Sequence, residues 1–168
     1  MKRIVLSILV DNTAGVLSRV AGLFSRRGYN IDSLTVGETQ DPAISRMTVL
    51  AHGDDQILEQ IRKQLNKLED VREIFELAPG ESVTRELILV KVAATDQERQ
   101  SIITIADIFR AKIVDVALDS LMIELTGNQN KIDAFINLLG QYTIKELVRT
   151  GITGLSRGSG DIADYIDD

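Results

Sequence analysis

The residues best suited to chemistry in this chain lie in one short turn, Asp11-Asn12-Thr13-Ala14-Gly15-Val16-Leu17. Asn12 and Thr13 are helix-capping types, each with a side-chain oxygen to offer a free amide. First-turn amides near Gly15 and Val16 have no intrahelical acceptor, and with the positive end of the helix dipole they suit a carboxylate. Gly15 has no Cβ, so a ligand's main chain can approach the backbone closely there. Two uses fit these residues, ordinary helix capping and anion binding, and the turn alone does not separate them.

Other chemistry finds little support. The chain has one histidine, His52, and no cysteine, so no cluster of metal-ligand spacing and no thiol nucleophile can be assembled from it. No serine sits in a G-x-S-x-G elbow. The Gly-rich stretch Gly154-Leu155-Ser156-Arg157-Gly158-Ser159-Gly160 lacks the Lys-Ser/Thr ending of a phosphate loop and reads as a flexible connection. The terminal acids Asp161, Asp164, Asp167 and Asp168 read as a solvated chain end. We therefore expect no catalytic residue and no metal site.

The elements that must hold the turn follow from hydrophobic periodicity. Ile4 to Val10 is a short apolar run rich in β-formers and ends at Asp11-Asn12, which marks a strand. From about Thr13 to Arg27, Val16, Leu17, Val20, Ala21 and Phe24 recur at helical spacing, and Gly28 follows as the residue that closes the helix. Asn30 to Thr39 and Ile44 to His52 read as strands on either side of the turn signal Asp41-Pro42. Asp54 caps a second helix carrying Ile57, Leu58, Ile61, Leu65 and Leu68, and Val71 to Leu77 is a fourth strand. The order is βαββαβ.

After a break at Ala78-Pro79-Gly80-Glu81-Ser82 the pattern repeats. Strands are expected at 87–93, 113–117, 121–126 and 144–149, with helices at about 97–110 and from about residue 130. The fold class is α+β: two tandem ferredoxin-like βαββαβ domains, each a four-stranded antiparallel sheet with two helices on one face. The expected domains are 1–78 and 84–158, followed by an acidic, disordered tail at 159–168. The second domain has no comparable turn, because Ala94-Thr95-Asp96-Gln97 precedes its first helix without a glycine.

Bulk properties narrow the function further. Of 168 residues, 44% are hydrophobic and the net charge is −6, an ordinary globular composition unsuited to anionic partners such as nucleic acid or membrane. Only 4% are aromatic, and the strands 30–39 and 44–52 contain no Phe, Tyr or Trp, so the sheet lacks the stacking platform of an RNA-binding ferredoxin-like fold. The basic start, Met1-Lys2-Arg3, precedes an apolar run too short for a signal core, and no run approaches the ~20 residues of a membrane span. A soluble, cytoplasmic protein is expected.

A strand, a D-N-x-x-G-x-L turn and a helix opening a βαββαβ unit resemble the ACT domain, a family of amino-acid-binding regulatory modules. Further stretches narrow the match: Leu23-Phe24-Ser25-Arg26-Arg27-Gly28-Tyr29-Asn30-Ile31, Ser33-Leu34-Thr35-Val36, Ser45-Arg46-Met47-Thr48 and Gly154-Leu155-Ser156-Arg157-Gly158. As an ordered set, from about Lys2 to Gly158, they resemble the small, regulatory subunits of acetolactate synthase.

That resemblance implies a non-catalytic subunit that binds and activates a separate large catalytic subunit. It also implies feedback inhibition by valine or a related branched-chain amino acid. Thiamine diphosphate, magnesium and FAD are then expected on the large subunit, with no cofactor on this chain. It implies a homodimer through ACT domains, with the effector between them. Asn12, Gly15 and Val16, with Leu17 beside them, would meet the effector from one protomer, and Asn30 and Ile31 from the other. The second domain would contact the large subunit or support the dimer. The alternative is a stand-alone ACT-type sensor acting on another enzyme.

Overall fold

The computed structural model describes residues 2–165, which divide into two compact units, residues 2–83 with 152–165 and residues 84–151. In the first unit, β1 (Lys2–Asp11), α1 (Val16–Arg26), β2 (Ile31–Glu38), β3 (Ile44–Gly53), α2 (Asp55–Asn66) and β4 (Val71–Glu76) follow in that order. The sheet order is β2-β3-β1-β4 and every pairing is antiparallel, the ferredoxin-like arrangement. Alternation along the strands decides which side chains face the helices. On β1 these are Ile4, Leu6, Ile8 and Val10; on β3 they are Met47, Val49 and Ala51. Val16, Val20, Leu23 and Phe24 of α1 and Leu58, Ile61 and Leu65 of α2 close the core, each such burial contributing about 1.5–3 kcal/mol. Gly28, in the left-handed region at φ 70°, ends α1 and turns the chain toward β2, as its place after Arg26-Arg27 predicts.

The second unit repeats the plan, with β5 (Ser82–Ala93), α3 (Asp96–Ile108), β6 (Lys112–Val116), β7 (Ser120–Gly127), α4 (Gln129–Leu139) and β8 (Ile144–Arg149). Its strand order, β6-β7-β5-β8, is the counterpart of the first. Ile88, Val90, Val92, Ile102, Leu121, Ile123, Ile132 and Phe135 form its core. At one edge Arg149 donates to the nearly fully buried Glu86 through Nε at 2.6 Å and Nη2 at 3.0 Å, and through Nη2 to Asp133 at 3.3 Å. These carboxylates raise the Arg149 pKa, the Glu86 hydrogen bond most of all.

Two differences from the sequence reading bear on function. Strand β5 begins at Ser82 rather than at residue 87, and the division between units falls inside it. The larger difference is at the end of the chain, where residues from Ile152 onward group with the first unit. Strand β9 (Thr153–Ser156) pairs with β5, whose first residues, Ser82 and Val83, belong to the same unit. A 3-10 turn follows at Ile162–Asp164, within the stretch read from sequence as a disordered tail. Asp167 and Asp168 lie outside the described residues.

This segment sits on the face of the first sheet that points away from the helices. Ile152 is buried there, its amide donating to Ser33 Oγ at 2.8 Å while its carbonyl accepts from Thr35 Oγ1 at 3.4 Å. At the opposite edge Tyr165 packs edge-on against Phe75 of β4, ring centroids 4.8 Å apart. The segment therefore reaches both edge strands. Among the described residues no helix is long and apolar enough to cross a membrane.

Candidate effector site at the start of the first helix

The turn after β1 is held by the residues that lead into its two neighbouring strands, β4 and β3. The Asp11 amide donates to the Asp70 carbonyl at 2.9 Å, and the Asn12 amide to the Ala43 carbonyl at 2.8 Å. Arg72 Nε clamps Asp11 Oδ1 at 2.6 Å, and Arg19 Nε meets Asp70 Oδ2 at 2.5 Å. The Asp70 carboxylate raises the Arg19 pKa. The loop is thus tied on both flanks, while Asn12, Thr13, Ala14 and Gly15 remain exposed and only Val16 is buried.

The cap itself differs from the sequence expectation. Neither Asn12 nor Thr13 caps α1; the N-cap is Gly15, at φ 87° and ψ −6°, with no side-chain hydrogen bond to any amide. Left-handed backbone is open to glycine at no steric cost. It also shifts the helix start by two or three residues, which takes the Asn12 side chain out of capping range. Asn12 Nδ2 donates instead to the Pro42 carbonyl at 2.8 Å and to Glu38 Oε1 at 3.2 Å. The first i−4 bond of the helix runs from the Arg19 amide to the Gly15 carbonyl at 3.0 Å, so the Leu17 and Ser18 amides have no acceptor in the turn before them. The first turn carries no acidic residue.

Each of the other three helices has a first-turn amide satisfied by its N-cap side chain. Asp54 accepts from the Ile57 amide, Thr95 from the Glu98 amide and Asn128 from the Lys131 amide, at 2.8, 3.2 and 2.9 Å. Among the four helices described, α1 alone presents an uncapped N-terminus.

Asn30 and Ile31 lie at the other end of the sheet. Ile31 pairs with Ala51, which pairs with Ile4, whereas the turn follows Asp11, paired with Ile44. Seven strand residues separate these levels, about 23 Å at 3.3 Å each. One chain therefore does not bring Asn30 and Ile31 together with Asn12, Gly15, Val16 and Leu17. Asn30 is exposed and donates through Nδ2 to Asp32 Oδ1 at 2.9 Å; the other Asp32 oxygen pairs with His52 Nδ1. The sole histidine thus helps hold Asp32 beside Asn30. Glu38, absent from the sequence reading, is the carboxylate next to Asn12, and its 26-residue separation left no local signal.

The βαββαβ order of the first unit, with its helix start left open, has the architecture of the ACT class of domains. The family model described as "AHAS small subunit-like ACT domain" matches residues 6–73, and the one described as "Small subunit of acetolactate synthase" matches residues 85–158. The chain is 56% identical over 156 residues to the "Probable acetolactate synthase small subunit" of Methanothermobacter thermautotrophicus, covering 92% of this chain and 93% of that one. It is 48% identical over 159 residues to the "Acetolactate synthase isozyme 3 small subunit" of Escherichia coli K12, covering 94% and 97%. The crystal structure of the acetolactate synthase small subunit from Thermotoga maritima is 42% identical, with a TM-score of 0.86 over 95% of this chain and 100% of that one. The chain belongs to the family of acetolactate synthase small, regulatory subunits.

Proposed function

We propose that this chain binds and activates an acetolactate synthase large subunit, lacks catalysis of its own, and confers feedback inhibition by a branched-chain amino acid such as valine. Thiamine diphosphate, magnesium and FAD belong to the large subunit in this reading, and the complex works in the cytoplasm. The uncapped start of α1 carries the proposal. A free amino acid has a carboxylate for the open Leu17 and Ser18 amides and an ammonium group for an oxygen acceptor such as Glu38. The space beside Gly15 is taken by the Arg19 guanidinium, a second cationic group close to the open amides. Side chains around an aliphatic ligand discriminate one methylene by only about 1–3 kcal/mol, so related branched-chain acids compete for one site.

The second half of the site comes from another copy of the chain. Strand β2 is an edge of the sheet, with one side of its backbone unpaired. Two such edges paired antiparallel about a two-fold axis lay the Ile31 end of one against the Glu38 end of the other. Glu38 touches Asn12. The same pairing therefore carries Asn30 and Ile31 of one protomer to Asn12, Gly15, Val16 and Leu17 of its partner, closing the 23 Å gap about as far as a single chain leaves it open. Control follows if the bound amino acid favours one arrangement of this pair over another.

Reconstitution tests the function. Mixed with an acetolactate synthase large subunit, the chain raises the rate, and valine, leucine or isoleucine lowers it again. Calorimetry on the isolated chain gives saturable heat with at least one of the three at millimolar concentration. No heat with any of them defeats the sensor reading, and no change in rate defeats the subunit reading.

A further inference from the structure

The outer face of the first sheet holds a second site that the α1 turn does not use. Between this face and the segment 155–165 lies a cavity of about 360 Å³, room for roughly twelve waters at ~30 Å³ each. Leu9 and Phe75 form its floor, and Leu155, Ile162 and Tyr165 its apolar walls. Arg46 of β3 enters it from the side. In the register Arg46 stands opposite Leu9 on one side and Gly37 on the other, and Gly37 leaves open space where a side chain would stand.

Arg46 is the feature that structure alone does not explain. It is half-buried, and its Nη1 donates to the fully buried Ser7 Oγ at 2.7 Å. A guanidinium has five N–H donors, so most are unused, and a hydroxyl needs no cation to satisfy it. Among the described residues no carboxylate forms an ion pair with Arg46, although ten such pairs occur elsewhere. Burial accordingly lowers its pKa. A partly desolvated cation without a counter-ion is costly, and a bound anion would remove that cost. The acid at the rim, Asp161, is engaged locally, its Oδ1 accepting from the Ala163 amide at 2.9 Å.

We infer that this cavity binds a small organic carboxylate with a compact apolar tail, its carboxylate on Arg46 and its tail against Leu9, Phe75 and Leu155. The site is separate from the α1 turn, since none of its lining residues is in Asp11–Leu17 or at Asn30–Ile31. It also assigns a purpose to Gly154-Leu155-Ser156-Arg157-Gly158, whose last four residues line the cavity.

The probe is 3-methylbutanoate, titrated into the full-length chain by calorimetry, with melting curves as a control for folding. Saturable binding is expected, weakened at least about tenfold by Arg46→Met and by Leu155→Trp, which fills the cavity while keeping the guanidinium, and unchanged by Asn30→Ala. If Arg46→Met fails to fold, Leu155→Trp decides. Absence of saturable binding overturns the inference. So does binding that Arg46→Met and Leu155→Trp both leave intact, or that Asn30→Ala abolishes, since the probe would then occupy the α1 site.

Discussion

Helices α1 and α3 hold the same position in two copies of one fold and begin in opposite ways. At α3 the Thr95 hydroxyl accepts from the Glu98 amide and the Glu98 carboxylate accepts from the Thr95 amide, a closed capping box with Asp96 beside it. One hydroxyl and one carboxylate each satisfy an amide, and the Glu98 and Asp96 charges oppose the positive helix end. At α1 a left-handed glycine replaces the cap and no acid stands in the first turn. The amides stay open and the positive end stays uncompensated. Glycine there costs only about 0.3 kcal/mol against a Ser, Thr or Asp cap, but it leaves the amides open to a ligand. The second unit spends its polar groups on itself, as the buried Glu86–Arg149 pair also shows.

Four substitutions sharpen or break that contrast. The largest effect is expected in the second unit, where Arg149→Met strands a buried Glu86 and lowers stability by about 3–5 kcal/mol, read from denaturant unfolding. Next, Gly15→Asp places an acid at the open helix start, on backbone at φ 87°, where its Cβ would meet Arg19 Nη1 at 2.9 Å. Effector affinity falls about 100-fold or more, near 2.7 kcal/mol, and feedback disappears while activation of the large subunit persists. Asn30→Ala removes one polar partner and weakens the effector about tenfold by the same calorimetry, again sparing activation. Thr95→Ala, the smallest, costs about 1 kcal/mol of stability and leaves effector binding untouched. A loss of effector binding there would erase the distinction between the two helix starts.

The parts of the molecule governed by periodicity were readable before the structure. Val16, Val20 and Phe24 at helical spacing, and Met47, Val49 and Ala51 at strand spacing, place the same residues in the core that the sequence pattern selects. The cap of α1 departs from the sequence expectation for a local reason. Asn12 and Thr13 have capping chemistry, but the conformation of Gly15 set the helix start beyond their reach, and a side chain 26 residues away, Glu38, took part of the Asn12 amide. The segment 152–165 was misread for a tertiary one. Ile152, Leu155, Ile162 and Tyr165 follow neither a period of 2 nor of 3.6, and glycines separate them. Their apolar character acquires meaning only once Ser33, Thr35 and Phe75 stand opposite. The effector turn was legible as residue chemistry, but its completion by a second chain is a property of the β2 edge.

That completion across two chains is the central claim, and mixing two defective chains tests it most directly. Gly15→Asp and Asn30→Ala homodimers each carry two damaged sites. If each site joins the turn of one protomer to Asn30 of the other, a mixed dimer gathers both lesions in one site and leaves the other intact. Co-refolding the two variants and titrating valine by calorimetry should then recover wild-type affinity at one site per mixed dimer. No recovery in mixed dimers of verified composition would contradict the shared site and place the whole effector contact within a single chain.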